Sequence, residues 1–219
     1  MKRKADQAQA TREAMLKAAR AVFTERGYED AATDEIVERA GVTRGALYHH
    51  FRDKKDLFAL SYEILQREIQ SRILAAISTE SETWKRLVRA CEVYLDACLD
   101  PAVQRIVLLD APRVFSRQSL FQLQAETGSG LIGQGLMRMF LQELMDRGIT
   151  VRHNAWTLSV LLSGALESAA LEIALAPDKE LWRRELGAGF VSLLERLKIS
   201  PEEKDHGWRK PKPKRSRKK

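Results

Sequence analysis

The chain has 219 residues, enough for one large or two small hydrophobic cores, and its 44% hydrophobic and 31% charged content is ordinary for a soluble globular protein. Twelve Gly and six Pro are few for this length, and the recurrence of Leu, Ala, Glu and Arg favours helix over sheet. The formal charge of +7 does not describe the body: residues 208–219 hold eight Lys or Arg and no acid, and taking those eight from +7 leaves −1. Composition therefore excludes a uniformly basic surface, and any case for nucleic acid must come from a motif.

The chain opens with MKRKADQAQA, which is charged, lacks the apolar core of a signal peptide and reads as a loose basic arm over 1–10. Thr11 starts a helical pattern that places Met15, Ala18, Ala19, Val22 and Phe23 on one face, and Gly27 ends it. Short helices follow over about 33–40 and 43–50, separated by Gly41. Asp53 is positioned as the N-cap of a fourth helix striped with Leu57, Phe58, Leu60, Ile64 and Leu65. Further helices are expected near 53–78, 82–98, 101–109, 117–147, 151–176 and 178–198. The stretch 117–147 carries four glycines and reads equally as one helix or two. The sum is an all-α chain of about nine helices, the first three much shorter than the later ones. A three-helix head over 11–57 precedes a helical body over 58–200 and a basic, disordered tail over 201–219. The most apolar stretch, Trp156 to Ala176, is interrupted by Glu167 and Glu172 and reads as a buried helix rather than a membrane span.

Cys91 and Cys98 are seven apart on one expected helix, about 10 Å along its axis and beyond disulfide reach. They read as small core residues in a reducing cytosol. No phosphate-binding glycine loop, GxSxG or HExxH is present, and the four histidines lack partners at metal spacing. Neither an enzyme, a metal site nor a cofactor is expected.

Residues 33–51 carry the functional signal. Ile36 and Val37 face inward on the first helix of the pair, Ala40 permits close approach, Gly41 makes the tight turn, and Val42 and Leu47 pin the second helix. That second helix is too short to be stable alone and turns Thr43, Arg44, Tyr48 and His49 outward. Arg44 suits a guanine edge or a phosphate, Thr43 a cap or a phosphate, and Tyr48 and His49 phosphate and sugar. Thr33 and Lys54 stand at the starts of helices, whose N-terminal N–H groups attract anions.

These residues, with the first helix TREAMLKAARAVFTERGYED before them and KKDLF after them, resemble the DNA-binding head of the tetracycline-repressor (TetR) family. The resemblance is strong over roughly the first quarter of the chain. It implies that Thr33, Thr43, Arg44, Gly45, Tyr48, His49 and Lys54 contact double-stranded DNA, Gly45 by letting the backbone approach the groove. Ala31-Ala32 departs from the family, where Thr or Ser is frequent, so an extra phosphate contact lacks its hydroxyl. The resemblance further implies a cytoplasmic, nucleoid-associated bacterial regulator, a repressor of a palindromic operator or alternatively an activator or architectural protein with no effector. It implies a homodimer joined through about 153–176 and 178–198. Those two stretches are apolar on more than one face, as helices that pack both inside and against a partner must be. Family members respond to a small molecule held in the body. Candidate pocket residues are Trp84, Tyr94, Asp110, Arg113, Phe115, Phe121, Met137, Phe140, Trp156 and Glu167, with Arg113 paired to Asp110 as one alternative. The tail over 208–219 reads either as an aid to nonspecific DNA binding or as a solvated terminus.

Overall fold

The computed structural model describes residues 2–127 and 134–199. The basic tail and the side chain of Phe121 lie outside the described residues. Those that are described form α1 (Lys2–Asp30), α2 (Thr33–Ala40), α3 (Arg44–His50), α4 (Lys54–Ser78) and α5 (Thr83–Ala97). A π-helical segment (Val103–Asp110) then runs directly into α6 (Ala111–Val114), followed by α7 (Arg117–Thr127), α8 (Leu136–Asp146), α9 (Ala155–Leu175) and α10 (Lys179–Glu195). The all-α expectation holds: the sole extended pairing among the described residues is an isolated bridge between Thr150 and Lys198. It ties the end of α10 to the turn after α8, with Val151 N–H on the Leu197 carbonyl at 2.9 Å and Ile199 N–H on the Ile149 carbonyl at 3.0 Å.

One expectation needs correction, and two others are sharpened. Residues 2–10, read as a loose arm, belong to α1, a 29-residue span broken by the non-helical backbone of Gly27 rather than a short helix. Their Lys, Ala and Gln are good helix formers, and the Gln9 side chain donates to Glu13 one turn on at 2.7 Å. Among the described residues the α-helices number ten, against about nine expected, with the π segment in place of an ordinary helix near 101–109. Pro112 accounts for the wide turn: it has no N–H to donate, and its ring crowds the carbonyl four residues back in an α-helix. The long stretch 117–147 is two helices, α7 and α8, with residues 128–133 between them outside the described residues.

The head is built as expected. Met15, Ala18, Ala19, Val22 and Phe23 are all buried, and they meet Ile36, Val37, Leu47, Phe51, Leu57 and Phe58 in a core continuous with that of the body. Gly27 has φ +79° and ψ 171°, which takes the chain out of α1 before the short turn to α2. α4 runs from the head along the body and packs on α1, α5, α7 and the π segment. α9 packs on α8, α10, α5 and the π segment. It is long and apolar enough by composition to cross a membrane, yet only 33% of its most apolar window is buried within the chain. Its outward apolar residues, among them Val160, Leu161, Leu171 and Leu175, are left exposed by the fold. The two cysteines are free and buried, and burial pushes both thiols up to about 12.

Candidate nucleic-acid interface

The helix-turn-helix is fixed by its ends. α2 closes on Gly41, whose φ of 66° is left-handed. The Gly41 N–H bonds the Glu38 carbonyl at 3.1 Å and the Val42 N–H bonds the Val37 carbonyl at 3.0 Å, the paired arrangement that terminates a helix in a glycine. Thr43, in extended backbone, caps α3 by accepting the Ala46 N–H at 3.2 Å. Leu47 is fully buried and is the sole buried residue of α3, so this seven-residue helix is anchored mainly by Leu47 and its cap, with Ala46 half-buried against the same core. Phe51 then turns the chain, and Asp53 caps α4 by accepting the Asp56 N–H at 2.7 Å. Asp56 in turn accepts from the Arg52 N–H at 3.1 Å and from its guanidinium at 2.9 Å. Burial works against the Asp56 carboxylate, but those bonds to Arg52 prevail and its pKa is lowered.

With Leu47 turned inward, Thr43, Arg44, Gly45, Tyr48 and His49 are all exposed on the opposite side of α3. Tyr48 is 45% exposed, unusual for an aromatic ring. The Arg44 guanidinium lies 5.8 Å from the centre of that ring and 3.3 Å from Asp34 on α2. The outer face thus presents a cation, an aromatic ring, an imidazole and a hydroxyl, and no acid from α3 itself. Gly45 has no positive φ, and a Cβ built there would meet nothing nearer than the Thr43 hydroxyl at 4.0 Å. Nothing inside the chain requires glycine at 45.

Two other residues fall differently. Thr33 is the first residue of α2 rather than its cap; Ala32 holds the cap position and offers no side-chain bond. Thr33 is half-buried beside the exposed N-terminal turn. The Lys54 ammonium is already engaged, donating to the Glu29 carbonyl at 3.0 Å and lying 4.7 Å from the centre of the Tyr28 ring. It fastens α4 to the turn after α1. Sequence reasoning missed Asp34, the ionic partner of Arg44; a carboxylate ten residues before Arg44 carries no periodic signal. Arg39 on α2 is bound at two points by Glu25 of α1, at 2.8 and 2.7 Å, and also by Glu35.

The candidate effector residues do not converge. Trp84 is at the far end of the body, where its ring nitrogen donates to Glu195 at 3.1 Å and Lys198 covers its face. Trp156 is 59% exposed on the outer side of α9. Phe115, Met137 and Phe140 are buried packing residues, Phe115 against Phe58 with ring centres 5.8 Å apart. Asp110 pairs with Arg105, not Arg113, and Arg113 is exposed. Large or polar side chains on successive helices look alike in sequence whether they face core, solvent or cavity. Tyr94 and Glu167 remain. Burial first, then the nearby Cys98 and Glu167, holds the Tyr94 hydroxyl well above its ordinary pKa, and that hydroxyl hydrogen-bonds Cys98. Glu167 counts as exposed, yet its carboxyl is crowded enough by protein to be pushed up, with Arg117 pulling it down.

Comparison with known proteins agrees with this arrangement. Residues 15–60 match the pattern described as bacterial regulatory proteins, tetR family, and residues 84–197 that of the tetracyclin repressor-like C-terminal domain. The chain is 31% identical over 136 residues to the transposon Tn10 TetC protein of Escherichia coli, across 61% of this chain and 66% of that protein. Over 58 residues it is 53% identical to the HTH-type transcriptional repressor BepR of Brucella suis, across 26% of this chain and 28% of that one. These matches span two-thirds or less of the curated relatives' length. The crystal structure of a TetR-family transcriptional regulator from Pectobacterium atrosepticum superposes with a TM-score of 0.74 at 33% identity, covering 90% of this chain and 98% of that one. A head of three helices capped and pinned in this way, joined to a body that matches over residues 84–197, places the chain in the tetR family of bacterial regulatory proteins.

Proposed function

We propose that the protein is a cytoplasmic, homodimeric transcriptional repressor that reads a palindromic operator with α3 and is released when a small molecule enters the body. The observation that carries the DNA reading is the exposed face of α3. Arg44, Tyr48, His49 and Thr43 are displayed on a helix too short to exist without Leu47 beneath it, and Gly45 leaves room that only an outside partner would use. Thr33 and Lys54 flank this face at two helix N-termini and contribute to phosphate binding, Lys54 only on leaving the Glu29 carbonyl.

The dimer reading rests on α9 and α10. Leu161, Leu175, Leu181, Trp182 and Leu193 are 39–63% exposed, while Leu162, Ala169, Ile173, Phe190 and Leu194 on the same helices are buried. A second copy covering the outward faces removes this apolar area from water. It also sets two recognition helices one turn of DNA apart, about 34–36 Å, which is what a palindrome requires. The effector reading rests on Tyr94 and Glu167, a phenol and a carboxyl able to orient a small molecule with a polar group.

The test is fluorescence anisotropy with duplexes drawn from upstream of the protein's own gene, using wild type and Arg44→Ala/Tyr48→Ala. Tight binding to one fragment, lost in the double variant, supports the reading. Equal weak binding of both proteins to every fragment tested defeats it. Repression is separated from activation by a reporter carrying that fragment.

A further inference from the structure

We propose that Arg105 and Asp110, on the π-helical segment of the body, are positioning residues that clasp the Gly27 turn and so fix the attitude of the DNA-reading head. The assignment of that head rests on the function proposed above; the clasp itself rests on geometry. Gly27 breaks the helical path, with the carbonyl of Arg26 just before it and the N–H of Tyr28 just after it. Both find partners in the body. The Tyr28 N–H donates to Asp110 Oδ2 at 2.7 Å, across 82 residues of sequence, and Arg105 donates through its terminal nitrogen to the Arg26 carbonyl at 3.3 Å. Arg105 Nε closes the ring on the same Asp110 Oδ2 at 3.2 Å.

Each member is fitted to this use. The Asp110 side chain is 8% exposed, so its charge depends on those two donors. A Cβ on residue 27 would lie 1.8 Å from the Arg105 guanidinium, so glycine is needed there for space as well as for its φ of +79°. The π geometry supplies the register. In an α-helix, residues five apart differ by about 140° around the axis. The i to i+5 bonding of a π-helix stacks them, and Arg105 and Asp110 therefore share one face. On the other side of the same turn, Lys54 of α4 holds the Glu29 carbonyl and the Tyr28 ring. The link between α1 and α2, from which the reading pair hangs, is thus held by the body and by α4 together. Rewinding the π segment to α would carry Arg105 away from Asp110 and open the clasp.

The test measures head attitude without DNA and then with it. Nitroxide labels are placed at the exposed positions Glu38→Cys on the head and Arg72→Cys on α4, with Cys91 and Cys98 left in place because they are buried. Labelled protein is diluted into unlabelled protein and the distance distribution is recorded for the otherwise native chain, Arg105→Ala and Asp110→Asn. Broadening or displacement of the distribution in both variants, with at least tenfold faster exchange of the Tyr28 amide and an unchanged melting temperature for Arg105→Ala, is expected. An unchanged distribution in Arg105→Ala overturns the proposal; that variant removes a 40%-exposed side chain and stays folded even where Asp110→Asn does not. Against a duplex selected from a random library by the wild type, both variants should bind at least tenfold more weakly with the same ranking of sequences. Should the wild type select no duplex, the reading of the head fails while the label distances still decide the clasp. Wild-type binding with undiminished affinity in both variants overturns the clasp alone.

Discussion

Leu47→Ala isolates the recognition helix from the rest of the molecule. Leu47 is fully buried and no other residue of α3 is. Truncating a fully buried Leu costs about 2–5 kcal/mol, because the transfer free energy of the lost methyls adds to that of the cavity left behind. A seven-residue helix has no stability to set against that loss, being well below the ~12–15 residues at which isolated helices become marginal in water. The Thr43 cap contributes only ~1 kcal/mol. Docked α3 should therefore fall from dominant to minor while α1, α4 and the body stay folded. An apparent dissociation constant scales inversely with the competent fraction, so DNA affinity should drop by roughly 30-fold or more. Amide exchange of residues 44–50, alongside urea unfolding of the whole protein, checks this. Leu144→Ala, a truncation at a fully buried site of α8, is the control: it lowers global stability by a similar amount but leaves exchange in α3 unchanged below the unfolding transition. If Leu47→Ala left α3 as protected as the wild type, or lost binding no faster than Leu144→Ala, the claim that one side chain holds the reading helix would be refuted.

Two further outcomes follow from the body. Leu161→Glu combined with Leu193→Glu, at 63% and 49% exposure, places charge on the outward faces of α9 and α10 without touching the internal core. Sedimentation should show wild type at twice the 24.9 kDa chain mass and the variant at the chain mass; a wild type already at 24.9 kDa at micromolar concentration would remove the dimer. The thiols give a pH signature. Both folded thiols are pushed up to about 12, above the unfolded value near 8.5, so their contribution to stability is complete below about 8.5 and is lost as pH rises toward 12. Urea midpoints should decline above pH 9 and decline less in Cys91→Ala/Cys98→Ala; an identical decline in the two proteins would contradict burial as the cause.

Legibility followed how local the determining interaction is. Gly27, Gly41, Thr43 and Asp53 each act within a few residues of themselves, and all four sit where turn and cap chemistry put them. The inward face of α1 and the anchor Leu47 were legible for the same reason, since periodicity along one helix reveals them. Thr33 missed its cap role by one position because Ala32 already has the extended backbone that a cap requires, with no side chain to exploit it. Residues 2–10 read as loose because of their charge, although Lys, Ala and Gln are also strong helix formers. The effector set dispersed for a different reason. Which helix face meets α5, α7 or solvent is decided by the packing of the whole body, and Asp110 shows the extent of it: its partners are Arg105, on its own segment, and an amide 82 residues earlier.

The state of Arg44 in the free protein bears on how the head discriminates. Its guanidinium is shared between Asp34, at 3.3 Å, and the Tyr48 ring, and both ions are largely exposed at 63% and 70%. An exposed pair of this kind is worth about 0–1 kcal/mol, so leaving Asp34 costs little when a bidentate acceptor is offered. A guanine edge repays that cost with about 1–3 kcal/mol, through two aligned bonds. On the proposed reading, a wrong base leaves Arg44 paired with Asp34. If α3 reads DNA as proposed, Asp34 sets a small threshold that Arg44 must cross before it contacts a base. The same carboxylate lies in the first turn of α2, where the helix dipole stabilises a negative charge. One acidic residue thus steadies α2 and pairs with the exposed cation of α3, so that, on the proposed reading, it widens the gap between right and wrong sequences although it donates nothing to DNA.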